Sequence, residues 1–66
     1  MIRIGDIGRP VAALQTLLKK AGARIEADGW FGEKTEKAVI RFQRQQGLMV
    51  DGIAGPATMA RLDPDR

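Results

Sequence analysis

The sequence predicts an all-α fold, a compact three-helix bundle in one domain. Three observations predict it: apolar residues recur at helical spacing, glycines and prolines flank the periodic stretches, and one loop-and-helix pattern occurs twice. A chain of 66 residues is one domain at most. It buries only about 60% of its unfolded surface, so its core must be efficient.

The first helix is predicted over residues 10–21, after an extended N-terminal segment with a turn at residues 2–7. Pro10 suits a first helical position, because its missing N–H would have no intrahelical partner there. Gly22 supplies the stop. Between them the apolar residues fall at helical spacing: Val11, Leu14, Leu18 and Ala21.

The second helix, predicted over residues 33–46, has acidic Glu33 in its first turn and Arg44 in its last, as the helix dipole prefers. The third is predicted over residues 56–62. Residues 63–66 are expected to be a tail or the start of a linker, so the domain covers residues 1–62. Nine apolar side chains are expected to form one core: Leu14, Leu18, Phe31, Val39, Phe42, Leu48, Ile53, Met59 and Leu62.

The pattern Asp-Gly-x-x-Gly-x-x-Thr occurs at residues 28–35 and again at residues 51–58. The Asp carboxylate can accept hydrogen bonds from backbone N–H groups just ahead of it, which makes an Asx-turn. The Gly that follows tolerates positive φ. The second Gly falls at the cap of the next helix, and the Thr can hydrogen-bond in its first turn. Loop closure explains most of the motif, while ligand contact by Asp28 and Asp51 remains the alternative.

Composition excludes several kinds of active site. The chain has no cysteine and no histidine, so it cannot supply a disulfide, a thiolate metal site, a catalytic triad or a zinc hydrolase centre by itself. We expect no catalytic residue, no metal and no cofactor. A net charge of +3 fits an anionic partner without requiring one. The sequence has neither an apolar run of membrane-spanning length nor the apolar region of a signal peptide.

The motifs form three blocks between about residues 4 and 62, each with regular internal spacing. They are Gly5-x-x-Gly8-x-x-Val11-x-x-Leu14-Gln15-x-x-Leu18, then Asp28-Gly29-x-Phe31-Gly32-x-x-Thr35-x-x-Ala38-Val39-x-x-Phe42-Gln43, then Gly47-Leu48-x-Val50-Asp51-Gly52-Ile53-x-Gly55-x-x-Thr58-x-x-x-Leu62. Together these blocks resemble the peptidoglycan-binding domain type 1 family.

The resemblance implies a three-helix domain that binds bacterial cell-wall peptidoglycan without catalysis and targets a linked cell-wall hydrolase to it. The resemblance does not decide whether the domain binds the glycan or the stem peptide. A start at Met1 without an export signal suggests the N-terminal module of a bacteriophage endolysin, with the catalytic domain C-terminal to residue 66. Such a protein would be made in the cytoplasm and act at the periplasm or cell wall. We expect a monomer, with no nucleic-acid or membrane partner.

Trp30, the single tryptophan, precedes Phe31 in the first Asp-Gly loop. Successive extended residues face opposite ways, so if Phe31 fills the core then Trp30 lines a surface groove. An aromatic face suits sugar rings, and tryptophan is enriched at binding hot spots. The alternative is that Trp30 covers the edge of the core, since Ile53 holds the equivalent place in the second loop.

Gln15 and Gln43 flank the apolar stripes of the first two helices, where an amide either ties down loop carbonyls or binds the backbone of a stem peptide. The second helix also carries a basic stripe that either holds stem-peptide carboxylates or is simply solvated: Lys34, Lys37, Arg41 and Arg44. The residues predicted to bind ligand are Gln15, Asp28, Trp30, Arg41, Gln43, Asp51 and Ile53.

Two other functions compete with peptidoglycan binding. The family's fold also occurs in pro-regions of some extracellular metalloproteases, so a protein-interaction or autoinhibitory module is the main alternative, and an exposed Ile40 beside Trp30 would suit it. Nucleic-acid binding is disfavoured, because the charge is modest and no second helix follows the first by a short turn.

Overall fold

Three helices in the predicted order form the fold, here a computed structural model that describes residues 1–63. Helix α1 spans Arg9–Lys20, α2 spans Glu33–Gln45 and α3 spans Pro56–Leu62, each within one residue of its predicted bounds. In the described part of the chain, no helix is long and apolar enough to cross a membrane. The predicted tail lies outside the described residues except for Asp63, whose N–H donates to the carbonyl of Met59.

The core lies between α1, α2 and the two Asp-Gly loops. Seven apolar side chains form it, none more than 7% exposed: Val11, Leu14, Leu18, Phe31, Val39, Phe42 and Ala54. Met59 and Leu62 pack against its edge. Leu48 and Ile53, expected in the core, are only half-buried. Along the extended second loop the side chains alternate, so Ala54 faces inward where Ile53 does not.

The N-terminal segment joins the two Asp-Gly loops to each other. Its backbone makes three hydrogen bonds of 2.8–2.9 Å with the first loop, and Ile2 exchanges two bonds, of 2.8 and 3.3 Å, with Ala54 in the second. Within residues 1–63 this pairing amounts to two isolated antiparallel bridges, as expected of a segment too short to make a sheet. One short stretch of chain thus holds both loops in place.

The second loop also covers part of α2. A Cβ atom built on Gly52 would lie 3.2 Å from the Cγ atom of Glu36 and 3.5 Å from the Cγ1 atom of Ile40. Ile40 is therefore half-buried, whereas an exposed Ile40 would have suited the interaction-module alternative. The expectation fails because a helical wheel cannot show which loop returns over a helix.

Leu14→Ala tests the core at a side chain that is 0% exposed. Removing these buried groups leaves a cavity, so the free energy of unfolding should fall by about 2–5 kcal/mol, a large share of a small domain's stability. Urea denaturation followed by circular dichroism measures it. Met49→Ala is the control: its side chain is 81% exposed, and its loss should change stability by no more than about 0.5 kcal/mol. Equal effects would contradict this core.

Candidate functional site

A buried amide on α1 closes the first Asp-Gly loop. The side chain of Gln15 is 1% exposed. Its Oε1 atom accepts a hydrogen bond of 2.8 Å from the backbone N–H of Gly29. Its Nε2 atom donates at 2.9–3.0 Å to three acceptors: Asp28 Oδ1, the carbonyl oxygen of Trp30 and Thr35 Oγ1. The amide has two N–H hydrogens for these three acceptors, so one hydrogen is shared between two acceptors. This arrangement is the first clasp.

A second clasp repeats the first on α2. Gln43 is also 1% exposed, and its Oε1 atom accepts hydrogen bonds of 3.1 and 3.0 Å from the backbone N–H groups of Asp51 and Gly52. Its Nε2 atom donates at 2.9–3.0 Å to Asp51 Oδ1, the carbonyl oxygen of Ile53 and Thr58 Oγ1. Each glutamine thus joins its own helix to the loop and the helix that follow.

These positions favour the loop-closing alternative for Gln15 and Gln43 over ligand contact. Both side chains are buried, and both ends of each amide bond within the fold, so neither presents an atom to a ligand. Thr35 and Thr58 lie in the first turns of α2 and α3 and hydrogen-bond there, as expected, with the glutamine amides as their partners. A buried hydroxyl needs a partner, and each amide lies against it.

The two aspartates make the expected Asx-turns. Oδ1 of Asp28 accepts from the backbone N–H of Trp30 at 3.0 Å, and Oδ1 of Asp51 accepts from that of Ile53 at 2.9 Å. These backbone bonds, and then the glutamine amides, lower the pKa of both carboxyls below the ordinary value and outweigh the opposing effect of desolvation. Both clasps are therefore strongest with the aspartates ionised.

The two repeats differ in length, and the difference produces a groove beside the first clasp. Thirteen positions separate Gln15 from Asp28, whereas eight separate Gln43 from Asp51. The longer first loop lines a groove of about 960 Å³ with residues 23–26. We refer to it as the first groove.

The lining of the first groove combines apolar residues with side chains of both charges. Its apolar lining includes Ile4, Ile25 and the fully buried Phe31. Three cationic and three acidic side chains also line it: Lys19, Arg24, Lys34, Glu26, Asp28 and Glu33. A surface of this kind can bind a ligand that has both apolar parts and charges of either sign.

Trp30 projects from this groove with 61% of its surface exposed, while Phe31 is 0% exposed. The alternation expected for the loop is therefore present. A Cβ atom built on Gly32 would lie 3.1–3.3 Å from three atoms of the indole's six-membered ring. The ring thus rests against the backbone of Gly32, where the Cβ atom of any other residue would crowd it. This position favours a groove-lining role for Trp30 over that of a cover for the core.

The remaining predicted ligand residues do not share this site. Arg41 lines a second groove, of about 580 Å³, while Asp51 and Ile53 line neither groove. The sequence analysis missed several groove residues, among them Ile4, Arg24 and Ile25, which belong neither to a helical stripe nor to the repeated motif. The extra length of the first loop, visible when the two repeats are compared, is the signal that could have indicated Arg24 and Ile25.

The fold and the first groove define a small helical binding module. A family model described as "Putative peptidoglycan binding domain" matches residues 8–62, and the chain belongs to that family. This confirms the resemblance and the all-α fold inferred from the motifs.

Similar proteins include several that act on the bacterial cell wall. The crystal structure of the Burkholderia AP3 phage endolysin matches with a TM-score of 0.94 and 46% identity, over 98% of this chain and 25% of that one. The SleB N-terminal domain matches with a TM-score of 0.91 and 41% identity, over 96% of this chain and 88% of that one. The zinc D-Ala-D-Ala carboxypeptidase of Streptomyces albus G is 44% identical over 88% of this chain. The chain spans only 24% of that enzyme's length.

Gln43→Glu tests the second clasp with little change in shape. At neutral pH it places a carboxylate oxygen against three acceptors, one of them the carboxylate of Asp51, so the free energy of unfolding should fall by about 3 kcal/mol or more. Gln45→Glu is the matched control, since it adds the same charge to an exposed position of the same helix. Chemical denaturation at pH 7 compares them, and a similar stability for the two variants would contradict the clasp.

The double variant Asp28→Asn, Asp51→Asn tests the ionised clasps. A carboxyl whose pKa is lower in the folded state stabilises the fold above its unfolded pKa, of about 4, and loses that contribution as pH falls through the folded value. Between pH 6 and pH 2 the wild type should therefore lose more stability than the double variant, whose amides retain an acceptor oxygen. Parallel stability curves in denaturant titrations would contradict the lowered pKa values.

Proposed function

We propose that this domain binds bacterial peptidoglycan through the first groove, with Trp30 as the principal contact. The observation that carries the proposal is the indole, exposed on one side and supported by Gly32 on the other. An aromatic ring held in place loses little conformational freedom on binding, which lowers the cost of association. Membership of the peptidoglycan-binding family supplies the ligand class.

The lining of the first groove suits the mixed chemistry of peptidoglycan. The indole face can stack on a sugar ring or on the apolar part of a stem peptide, as aromatic residues at binding hot spots do. The cations in the lining can pair with stem-peptide carboxylates, while acidic groups such as Asp28 can accept hydrogen bonds from sugar hydroxyls and peptide N–H groups. We assign Gln15, Gln43, Asp51 and Ile53 to holding the loops rather than to touching ligand.

We further propose that the domain delivers a linked hydrolase to the wall, as part of a phage-encoded or bacterial protein that acts there. A module bound to a repeating polymer raises the local concentration of an attached enzyme without adding chemistry. Support comes from relatives such as the carboxypeptidase and the phage endolysin, of which this chain spans only a quarter. The monomeric state and the position of the catalytic domain after residue 66 remain parts of this proposal.

Trp30→Ala should weaken binding to purified sacculi by tenfold or more, the loss expected when a hot-spot aromatic is truncated. Co-sedimentation of the domain with a concentration series of sacculi measures the affinity. Met49→Ala is the matched control: it also removes a large exposed apolar side chain, but one that lines neither groove. It should bind as the wild type does.

Gly32→Ala provides a second test that keeps the tryptophan. The φ angle of Gly32 is −101°, which alanine adopts without strain, but the added methyl group displaces the indole from its support. Affinity should fall while circular dichroism shows an intact fold. If the wild-type domain stays in the supernatant, the proposed function fails. If it pellets and both variants pellet equally well, the assignment to Trp30 fails.

A further inference from the structure

The second groove has a different electrostatic character from the first. It runs beside α2 and holds about 580 Å³. Four cationic side chains line it: Arg24, Lys34, Lys37 and Arg41. None of its lining residues is acidic, whereas the first groove has three carboxylates among its lining residues.

Three of these cations lie on one side of α2, at positions i, i+3 and i+7. Like charges at such spacings repel one another and destabilise a helix by a few tenths of a kcal/mol for each pair. Glu33, four residues before Lys37, offsets part of this repulsion, but no carboxylate lines the groove itself. An anionic ligand placed among the cations would relieve it, so the arrangement favours binding an anion over remaining empty.

The two grooves adjoin. Arg24 and Lys34 line both of them, as do Ala23 and Ile25 between the helices. A ligand that occupies the first groove can therefore continue into the second without leaving the surface. The same polymer can then present an apolar or sugar portion to Trp30 and a negatively charged portion to the cations of α2.

We infer that the second groove is an anion subsite that takes the free carboxylates of peptidoglycan stem peptides. The inference rests on the proposed function and deepens it, because it divides recognition between an aromatic groove and a cationic one. Arg41 pairs with a carboxylate through its planar guanidinium, which matches two oxygens at once. Lys37 contributes a point charge.

The test compares sacculi with the same sacculi after their carboxyl groups have been converted to amides. Amidation should weaken binding of the wild type about tenfold. Lys37→Gln with Arg41→Gln should bind untreated sacculi about tenfold more weakly than the wild type, since each exposed ion pair contributes a factor of about two to five. For this variant, amidation should weaken binding less than threefold further, because only Arg24 and Lys34 remain of the four cations that read the carboxylates.

Arg9→Gln with Lys20→Gln is the matched control. It removes one arginine and one lysine, both exposed, and neither lines a groove. It should bind like the wild type on both kinds of sacculi. Glutamine is a good helix former, and circular dichroism checks that all variants fold.

The outcomes separate this inference from the proposed function. If the wild type fails to pellet with untreated sacculi, the proposed function fails. If the wild type pellets but Lys37→Gln with Arg41→Gln binds equally well, or loses as much on amidation as the wild type does, only the anion subsite is overturned. An equal loss in the Arg9 and Lys20 control would also overturn it, by reducing the effect to net charge. If binding is lost when phosphate polymers are removed from the wall, while amidation of the carboxyl groups leaves binding unchanged, the choice of carboxylate as the bound anion is overturned.

Discussion

A primary amide buried in each repeat connects a helix to the loop and the helix that follow, and the rest of the structure depends on these two connections. Gln15 and Gln43 are each 1% exposed, and both ends of each amide bond to the loop. In a 66-residue chain the apolar core is too small to hold long loops by burial alone. A directional network supplies the missing constraint, and it is costly to break because each unpaired group would remain buried.

The functional asymmetry of the molecule comes from what is added to this repeated scaffold. Both clasps present an Asp-Gly loop with alternating side chains. Only the first loop carries the additional residues that form a groove, and only there does a tryptophan stand where the second loop has the half-buried Ile53. The clasp residues and the groove-lining residues occupy adjacent positions in the chain, and Asp28 and Thr35 belong to both sets.

Helix α2 connects the two repeats physically. Its buried face contributes Thr35 to the first clasp and Gln43 to the second, while its outer side carries Lys37 and Arg41 into the cationic groove. The position of the cations relative to Trp30 therefore depends on both clasps. In the proposed function, this geometry presents two chemically different surfaces to one polymer.

The sequence by itself determined the fold class, the helix bounds to within one residue, the Asx-turns and the family. These follow from local signals, since glycine, proline, Asp-Gly and helical periodicity act within a few residues of one another. Only the tertiary structure decided that the glutamines are buried in clasps, that Ile40 is covered by the second loop and that Trp30 adjoins a groove. Each of these depends on which loop returns over which helix. That arrangement is set by packing among residues far apart in the chain, and periodicity along one helix carries no information about it.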